Sequence, residues 1–484
     1  HSFLKTRSRT SYIDAQNYPS PAFDVASVAA NIVDASAGLS EYAIESYFAR
    51  LSLAYKDRYV VNATIRTDGS SRFAPDCRWG WFPSVSVGWN VSNESFWNAE
   101  KTDLKIRASY GRTGNQDGIS NYGWQALISG GVNYGGQSGI AISSSGNDRL
   151  TWETADQYNA GFDLSFLGGK INMIADVYLK NTNNLLYSKP VHATTGETSI
   201  LSNIGSMRNK GVEFTINTHL NLGKVLWSSS FNIARNVNKL TSLLEDDLLS
   251  IGANRALKLG RTVGSWYIFR TDGIYQYDGE VPQALYDKGV RAGDVKYWDR
   301  NGDGNITDDD RIVTGNPNPK FSGGWNNTFK YKGLELSLFF TYSYGNDVYA
   351  SWMIHGSKPG YTRSLLKAYA DNRWTGPGTS DKYPRAIYSY SGWNGKNSTM
   401  YLTDGSFIRL RSVTLGYTFP QRLVSKIHLK GLRVYAQGDN VFLCSRYPGW
   451  DPETSVNLDP RFYGEDNDGV PQPRIFKLGV NITF

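Results

Sequence analysis

The feature that most constrains this chain is a strict alternation of apolar and polar residues that recurs along most of its length. In Leu334–Tyr344 every second residue is apolar, and in Arg474–Phe484 the alternation continues to the last residue. A period of two residues places the apolar side chains of an extended segment on one face, which predicts half-buried β-strands. The same pattern occurs in Tyr47–Tyr55, Tyr59–Arg66, Pro83–Val91, Leu104–Tyr110, Ile171–Lys180, Val212–Leu220 and Leu432–Asp439.

The connections between these segments fall into a short and a long class. The short ones are YKDR (Tyr55–Arg58), LGGK (Leu167–Lys170), LGKV (Leu222–Val225) and YKGL (Tyr331–Leu334). The long ones are Thr113–Thr154, Asn181–Asn209, Asn236–Lys320, Gly345–Ser406 and Asn440–Pro473. Barrels of the bacterial outer membrane have strands of about ten residues, short turns on the periplasmic side and long loops on the outer side. We therefore predict an all-β fold, a transmembrane antiparallel β-barrel in the outer membrane and in contact with its lipid.

The composition supports strands and turns and argues against helical membrane spans. The chain contains 31 Tyr, 14 Trp and 49 Gly, and its mean hydropathy is −0.43. A low average still fits a membrane barrel, because half of each strand faces a polar interior. The net charge of +7 comes without any long Lys/Arg block, so no nucleic-acid partner is predicted. Cys77 and Cys444 form neither a disulfide framework nor a zinc pattern.

The number of strands predicts how the chain is organised. Counting back from the terminal strand gives about thirteen strands from Glu41–Tyr55 onward, and the first of them would run inward. Residues 1–40 are then expected to be an extracellular loop segment, and residues 41–484 the C-terminal part of a larger barrel with long extracellular loops. A change of phase between Leu410 and Val413 predicts a β-bulge.

Several stretches, in the same order along the chain, resemble the SusC/RagA family of TonB-dependent outer-membrane transporters of Bacteroidetes. They include TIRTDGSSRFAPDCRWGWFPSVSVGWNVSNESFW (Thr64–Trp97), LKIRASYGRTGNQDGISNY (Leu104–Tyr122), NIGSMRNKGVEFTIN (Asn203–Asn217), GDVKYWDRNGDGNITDDDR (Gly293–Arg311), GNPNPKFSGGWNNTFKYKGLELSLFF (Gly315–Phe340) and YLTDGSFIRLRSVTLGYTFP (Tyr401–Pro420). The resemblance covers nearly the whole chain from about Glu41 onward.

This resemblance implies a barrel size and partner proteins that the alternation of residues does not show. It implies a 22-stranded barrel, of which this chain would supply about 13–15 strands, together with an N-terminal plug. It also implies a contact with the TonB complex through that N-terminal region, and a SusD-like surface lipoprotein that covers the barrel as a lid. Such a complex would import oligosaccharides or peptides.

The segment DRNGDGNITDDD has the spacing of a calcium loop. Its candidate ligands are Asp299, Asn301, Asp303, Asn305 through its backbone carbonyl, and Asp310. Oxygen ligands that alternate along a tight loop suit a hard cation, and a bound Ca²⁺ would rigidify an extracellular loop. The alternative is an Asn/Asp/Gly turn held by hydrogen bonds between side chains and backbone.

The connection Gly345–Ser406 is rich in aromatic residues that could stack on sugar rings or contact the lid protein. They are Trp352, Trp374, Tyr383, Tyr388, Tyr390 and Trp393. The alternative is that they pack the loop itself. A second set comprises inward polar residues that could line a substrate path or bind the plug, or form charge pairs in a wet lumen: Arg50, Arg66, Arg107, Arg409 and Asp439.

No catalytic motif is present at the spacing of a metalloprotease or a P-loop, so the chain is not expected to be an enzyme. The leading hypothesis is an outer-membrane nutrient importer that works with a SusD-like lipoprotein. Three alternatives stay open from the residues alone: a TonB-dependent receptor for a metal chelate or vitamin, a secreted all-β glycan-binding protein or glycosidase, and an open porin.

Overall fold

A computed structural model of the chain describes residues 1–98, 101–192, 194, 196–243, 247–357, 364–387, 392–457 and 459–484. Strands dominate it, as predicted. The strands are β1 (Ser2–Gln16), β2 (Asn31–Tyr55), β3 (Tyr59–Ser70), β4 (Trp79–Trp81), β5 (Ser84–Asn90), β6 (Thr102–Asn115), β7 (Leu127–Gly130), β8 (Ile140–Ser144), β9 (Glu153–Phe166), β10 (Ile171–Asn183), β11 (Leu186–Pro190), β12 (Ser199–Asn203), β13 (Gly205–Leu222), β14 (Val225–Leu243), β15 (Leu248–Ile251), β16 (Arg255–Lys258), β17 (Trp266–Phe269), β18 (Thr271–Ile274), β19 (Val295–Tyr297), β20 (Arg311–Thr314), β21 (Phe321–Tyr331), β22 (Leu334–Tyr344), β23 (Asp347–Ala350), β24 (Leu402–Asp404), β25 (Phe407–Thr418), β26 (Gly431–Ser445), β27 (Glu465–Asp466) and β28 (Ile475–Thr483).

In the described part of the chain the α-helices are few and short. They are α1 (Gln283–Asp287), α2 (Ser351–Gly356), α3 (Lys367–Asn372) and α4 (Gln421–Val424). Over the residues described above, no helix has the length and apolar character needed to cross a membrane.

The chain forms two compact units. Unit 1 comprises His1–Trp89, Arg107–Asn159 and Lys180–Met207, and its main strands follow the order β1–β2–β3–β5–β6–β9. Unit 2 comprises Asn90–Ile106, Ala160–Leu179 and Arg208–Phe484, and its main strands follow the order β9–β10–β13–β14–β21–β22–β25–β26–β28. Neighbours run antiparallel, as in the pairs β2–β3 and β21–β22. Thirteen strands lie in this order from β2 to β28, which confirms the predicted number.

The structure differs from the expected loop at residues 1–40. Residues 2–16 form β1, which pairs antiparallel with β2 from Ser2↔Ser46 to Gln16↔Asn31. Most of β1 and the first part of β2 are exposed on both faces. A backbone hydrogen-bond ladder can form without an apolar face, so these strands leave little alternation in the sequence to reveal them. Their position outside the cell remains a prediction.

The predicted short turns are confirmed as hairpins between long strands. Lys56 and Asp57 connect β2 to β3 with φ angles of 51° and 53°, and Lys332 and Gly333 connect β21 to β22 with φ angles of 44° and 87°. Two successive residues with positive φ match the twist of paired strands, which is why such tight hairpins use them. The long class of connections is also found where it was predicted.

Each unit shows a polar and an apolar face on its strands. In unit 1 the polar side chains of Ser52, Asn62 and Ser86 form a ladder across β2, β3 and β5, with the Ser52 hydroxyl donating to Asn62 at 2.6 Å. In unit 2 Glu335 of β22 forms ion pairs with Lys330 at 3.0 Å and with Arg433 at 2.7 Å.

The apolar face of the last strand, β28, is well exposed, since β28 ends the sheet order and pairs with β26 on one side. Phe476 and Leu478 are 75% and 88% exposed, and Val480, Ile482 and Phe484 continue the same row. The corresponding residues of β22 (Leu336, Leu338 and Phe340) are half-buried, because β21 and β25 pair with β22 on both sides. A row of exposed apolar side chains opposite a hydrogen-bonded polar row is the arrangement of a strand whose one face meets lipid.

The predicted bulge is confirmed in β25. Phe340 pairs with Leu410 whereas Phe339 pairs with Ser412, so Arg411 is the extra residue. A bulge inserts one unpaired residue and thereby shifts the phase of the alternation, which is the change read from the sequence.

Candidate functional site: the loop assembly

Three long connections of unit 2 fold together into what we call the loop assembly. They are the described parts of residues 244–320 between β14 and β21, residues 345–406 between β22 and β25, and residues 446–474 between β26 and β28. β23 of the second connection pairs antiparallel with β24 and parallel with β27 of the third. Phe269 of the first connection bridges to Ser398 of the second. Long loops on a rigid scaffold are the usual place for binding residues in a protein.

The loop assembly has a first apolar core, core A, to which all three connections contribute. Its buried residues are Trp266, Ile268, Val348, Tyr349, Ala350, Met353, Ile354, Tyr401 and Tyr447. Burial raises the pKa of Tyr401 to about 12, and it also raises the pKa of Tyr447, whose hydroxyl hydrogen-bonds to Asp466. Such burial shows that the three connections form a packed structure and not separate loops.

A buried arginine beside core A links the first connection to the third. The Arg255 guanidinium donates to the backbone oxygens of Tyr463 at 3.0 Å, Phe462 at 3.3 Å and Gly264. It lies 4.1 Å from the ring centroid of Trp266, and Glu465 lies 3.8 Å away. Burial lowers the pKa of Arg255 to about 10. Sequence analysis missed this residue, because its backbone acceptors in the third connection lie 207 and 208 positions away along the chain.

A second core, core B, lies around α1 and β19. Its buried residues are Phe269, Ile274, Tyr275, Val281, Leu285, Val290, Val295, Tyr297 and Ile306. At its edge the buried Asp294 carboxylate accepts two hydrogen bonds from Arg385, at 2.9 and 3.1 Å, and one from Asn394 at 2.9 Å. The Arg291 backbone N–H supplies a fourth at 2.9 Å. The charge of Asp294 is therefore fully compensated.

The predicted aromatic residues lie at the edges of these cores, and the N–H groups of the tryptophans have protein partners. Trp352 donates to the Tyr447 hydroxyl at 3.1 Å, Trp374 to Gln276 at 3.2 Å, and Trp393 to the Val295 carbonyl at 2.9 Å. All three indoles are half-buried. Tyr388 and Tyr390 lie outside the described residues. The indoles thus pack the loop assembly, and contact of their remaining ring surface with substrate or lid stays a prediction.

The calcium-like loop has its side-chain oxygens turned toward its own backbone. Asp299 accepts from the N–H groups of Gly302 at 2.7 Å and Gly304 at 2.8 Å. The buried Asp310 accepts from Arg300 and Thr307, both at 2.8 Å.

The remaining candidate ligands of this loop are also engaged. Asn301 accepts from the N–H of Asp303 at 3.1 Å, and Asp303 accepts from Asn305 at 2.7 Å. The Asn305 side chain accepts from the Lys288 ammonium at 2.8 Å. Within the part of the chain that the structure describes, no three His, Cys, Asp or Glu side chains are placed to hold a metal ion. The arrangement is that of an Asx-rich turn, and the calcium site stays a prediction.

The inward polar residues of the strands are mostly paired. Arg409 forms ion pairs with Asp451 and Glu453, Asp439 pairs with Lys477 at 2.6 Å, and Arg66 pairs with Asp68 at 2.8 Å. Arg107 is half-buried and Arg50 is exposed. The pairs fit the alternative of charge pairs inside a wet lumen, and no bound plug or substrate is needed to explain them.

The motif Thr64–Trp97 has a structural explanation in unit 1. Phe73 and Phe82 from this motif pack with Ile119, Leu150 and Trp152 in a buried cluster. A Cβ atom on Gly80 would lie 2.4 Å from the Phe82 ring, so a glycine is required for that ring to sit where it does. The most recognisable stretch of the sequence therefore builds a core.

Long antiparallel strands joined by short turns on one side and long connections on the other are typical of outer-membrane β-barrels. Comparison with known proteins identifies the family. A family model described as TonB dependent receptor-like, beta-barrel matches residues 4–441. The chain belongs to this family, and it is therefore part of a β-barrel of the bacterial outer membrane. This confirms the predicted fold class and location, agrees with the expectation that the chain is not an enzyme, and contradicts the alternative of a secreted glycan-binding protein or glycosidase.

Individual relatives give the same result. TonB-dependent receptor P26 of Formosa agariphila is 35% identical over 467 residues, which cover 92% of this chain and 46% of the relative. TonB-dependent receptor SusC of Bacteroides thetaiotaomicron is 31% identical over 464 residues, covering 91% of this chain and 43% of SusC. The chain spans about half the length of the curated relatives it matches. The SusC-like character predicted from the motifs is confirmed.

Solved structures agree on the fold. A structure described as the RagAB peptide transporter matches with a TM-score of 0.84 at 22% sequence identity, over 100% of this chain and 52% of that chain. A RagAB peptide importer in an open-open state matches with a TM-score of 0.83. At this level of identity the likeness establishes a shared fold.

Proposed function

We propose that this chain acts in the TonB-dependent import of oligosaccharides or peptides across the outer membrane, together with a SusD-like surface lipoprotein. The observation that carries the proposal is the loop assembly: three long connections packed around two apolar cores on a barrel of the TonB-dependent receptor family. Loops that only closed a pore would not need cores, whereas loops that present a fixed surface to a ligand or a lid protein must be rigid.

The relatives support this direction. SusC shares 31% of its aligned residues with this chain, and a structure of similar fold is described as a peptide importer. The plug and the contact with the TonB complex would belong to the half of the relatives that this chain does not align with. The remainder of the barrel would come from the same region.

Uptake in matched strains tests the proposal. A strain that carries the protein should accumulate labelled oligosaccharides or peptides, and strains without the receptor or without functional TonB should not. A SusD-like lipoprotein should co-purify with the receptor from mild detergent. If the strain takes up a metal chelate or vitamin but neither oligosaccharides nor peptides, the chelate-receptor alternative replaces the proposal. If uptake persists without functional TonB, the protein acts as an open porin.

A further inference from the structure

A pocket of about 300 Å³ opens beside Trp393 in the loop assembly. It lies where the end of α1 meets the short 3-10 turn Trp393–Gly395. Its polar lining consists of Lys288, Asp294 and Lys396, and its apolar lining includes Trp393 and Val290. The indole N–H of Trp393 already donates to the Val295 carbonyl, so the indole contributes its ring surface to the pocket.

The ammonium of Lys396 is the unusual group in this pocket. It lies 5.5 Å from the ring centroid of Trp393 and 5.0 Å from that of Phe269. Among the residues that the structure describes, no carboxylate lies within ion-pair distance of this ammonium. Burial lowers the pKa of Lys396, and the positive charges of Arg311 and Lys288 lower it further. A partly desolvated cation is stabilised when an anion joins it.

The acidic groups nearby do not fill that role. Asp294 lines the pocket, but Arg385 neutralises it and four donors occupy its oxygens. Asp308 is the acidic residue that favours the charged form of Lys396, but it forms its ion pair with Arg311 at 2.9 Å. Within the described part of the chain, the hydrogen bond of the Lys288 ammonium goes to an uncharged oxygen, the side-chain carbonyl of Asn305, at 2.8 Å. The pocket therefore keeps the two positive charges of Lys288 and Lys396.

We propose that this pocket binds the carboxylate of an imported ligand between the ammonium groups of Lys288 and Lys396, with the adjoining part of the ligand against the Trp393 ring. Ammonium–carboxylate hydrogen bonds are among the strong polar interactions of proteins, and more so in partly desolvated sites. An indole surface beside them suits a sugar ring or a short apolar chain. The inference rests on the proposed function, since it names the chemical class of the ligand that the importer captures.

A carboxylate can come from an acidic saccharide or from the C-terminus of a peptide, and titration calorimetry of the detergent-solubilised protein distinguishes them. The probes are trigalacturonate with neutral trigalactose, and trialanine with trialanine amide. We expect the charged member of one pair to bind about tenfold more tightly than its neutral counterpart. The pair that discriminates identifies the source.

Variants tie the binding to the pocket. K396Q and K288Q should each weaken binding of the preferred probe about tenfold, whereas K382Q should leave it unchanged, because Lys382 is an exposed lysine beside Tyr383 outside the pocket. Thermal unfolding of each variant checks that the loop assembly is intact. Equal binding of charged and neutral probes, no saturable binding of any probe, or unchanged affinity in both K396Q and K288Q would overturn the inference.

The outcome is separable from that of the proposed function. If TonB-dependent uptake persists while the carboxylate preference is absent, only the pocket assignment fails. If the preference is found while uptake does not depend on TonB, only the proposed import fails.

Discussion

Arg409 of β25 and Asp451 of the connection between β26 and β28 form a buried ion pair of 2.5 Å, with side chains that are 3% and 5% exposed. Glu453 lies 2.7 Å from the same guanidinium and also pairs with Arg411, the extra residue of the bulge. This network attaches the third connection of the loop assembly to a strand of the main sheet. The third connection is therefore held to the sheet by ion pairs as well as by its covalent connection to the strands.

Removing one partner of this pair should loosen the loop assembly. We expect Arg409→Ala to lower the free energy of unfolding by about 3–5 kcal/mol, since it leaves the buried Asp451 carboxylate without its ion-pair partner. The pair of Arg461 and Asp459 is the control, because its side chains are 43% and 28% exposed, and Arg461→Ala should cost about 0–1 kcal/mol. Denaturant unfolding together with limited proteolysis of residues 446–474 measures both. Equal losses of unfolding free energy in the Arg409 and Arg461 variants would show that burial of the Arg409 ion pair does not add to stability.

Alkaline pH should destabilise core A through Tyr401. Its pKa is raised to about 12 by burial, against an ordinary value of 10.0. Between those values the unfolded chain releases the tyrosine proton and the folded chain keeps it. The stability that Tyr401 contributes is therefore full below pH 10 and is lost as the pH rises toward 12, by up to about 1.4 kcal/mol per pH unit.

A difference between variants isolates this effect. Tyr401→Phe should flatten the fall in unfolding free energy across this pH window, whereas Tyr277→Phe should not, because Tyr277 is 61% exposed. Unfolding curves measured at several alkaline pH values give the slopes. Parallel slopes for Tyr401→Phe and the parent chain would contradict the prediction.

The calcium-like loop should stay folded without a metal ion, because backbone donors satisfy its carboxylates. We expect Asp299→Ala to cost about 1–3 kcal/mol, with or without a chelator, since the N–H groups of Gly302 and Gly304 lose their acceptor. Asp309→Ala in the same loop is the control, because Asp309 is exposed. Thermal unfolding in calcium and in chelator, with metal analysis, measures this. A stoichiometric calcium ion whose removal lowers the unfolding temperature would establish the ion site that the spacing predicts.

The apolar row of β28 should not tolerate charge. We expect Leu478→Arg to destabilise the protein in lipid vesicles by about 2–4 kcal/mol if residue 478 lies near the bilayer midplane. Lys477→Arg on the polar face should have little effect, because Lys477 is already charged and pairs with Asp439. Folding into vesicles, followed by heat-modifiable mobility, compares the two. Similar folding of both variants would mean that this row does not face lipid.

Much of the strand architecture could be predicted from the residues alone. The alternation located ten strands of the main order, because it follows from the side-chain period of an extended chain: β2, β3, β5, β6, β10, β13, β22, β25, β26 and β28. The four short turns and the bulge at Arg411 were also found, whereas the short strands inside the long connections were not. The hairpin of β1 was missed because strands exposed on both faces carry no such period. The candidate tryptophans were found in the sequence. Their hydrogen-bond acceptors, Tyr447, Gln276 and Val295, lie far away along the chain and could not be predicted.

The sequence by itself determined the class of fold. A period of two residues and two classes of connection length are local properties, so they can be recognised without knowing any tertiary contact. The tertiary structure decided the site. Arg255 and Lys396 are ordinary basic residues in the sequence, and they differ only in what the fold brings around them: carbonyl oxygens for the first, and aromatic rings with another cation for the second. Contacts between residues far apart in the chain set the burial and the electrostatic field of a side chain, so they cannot be read from its neighbours in sequence.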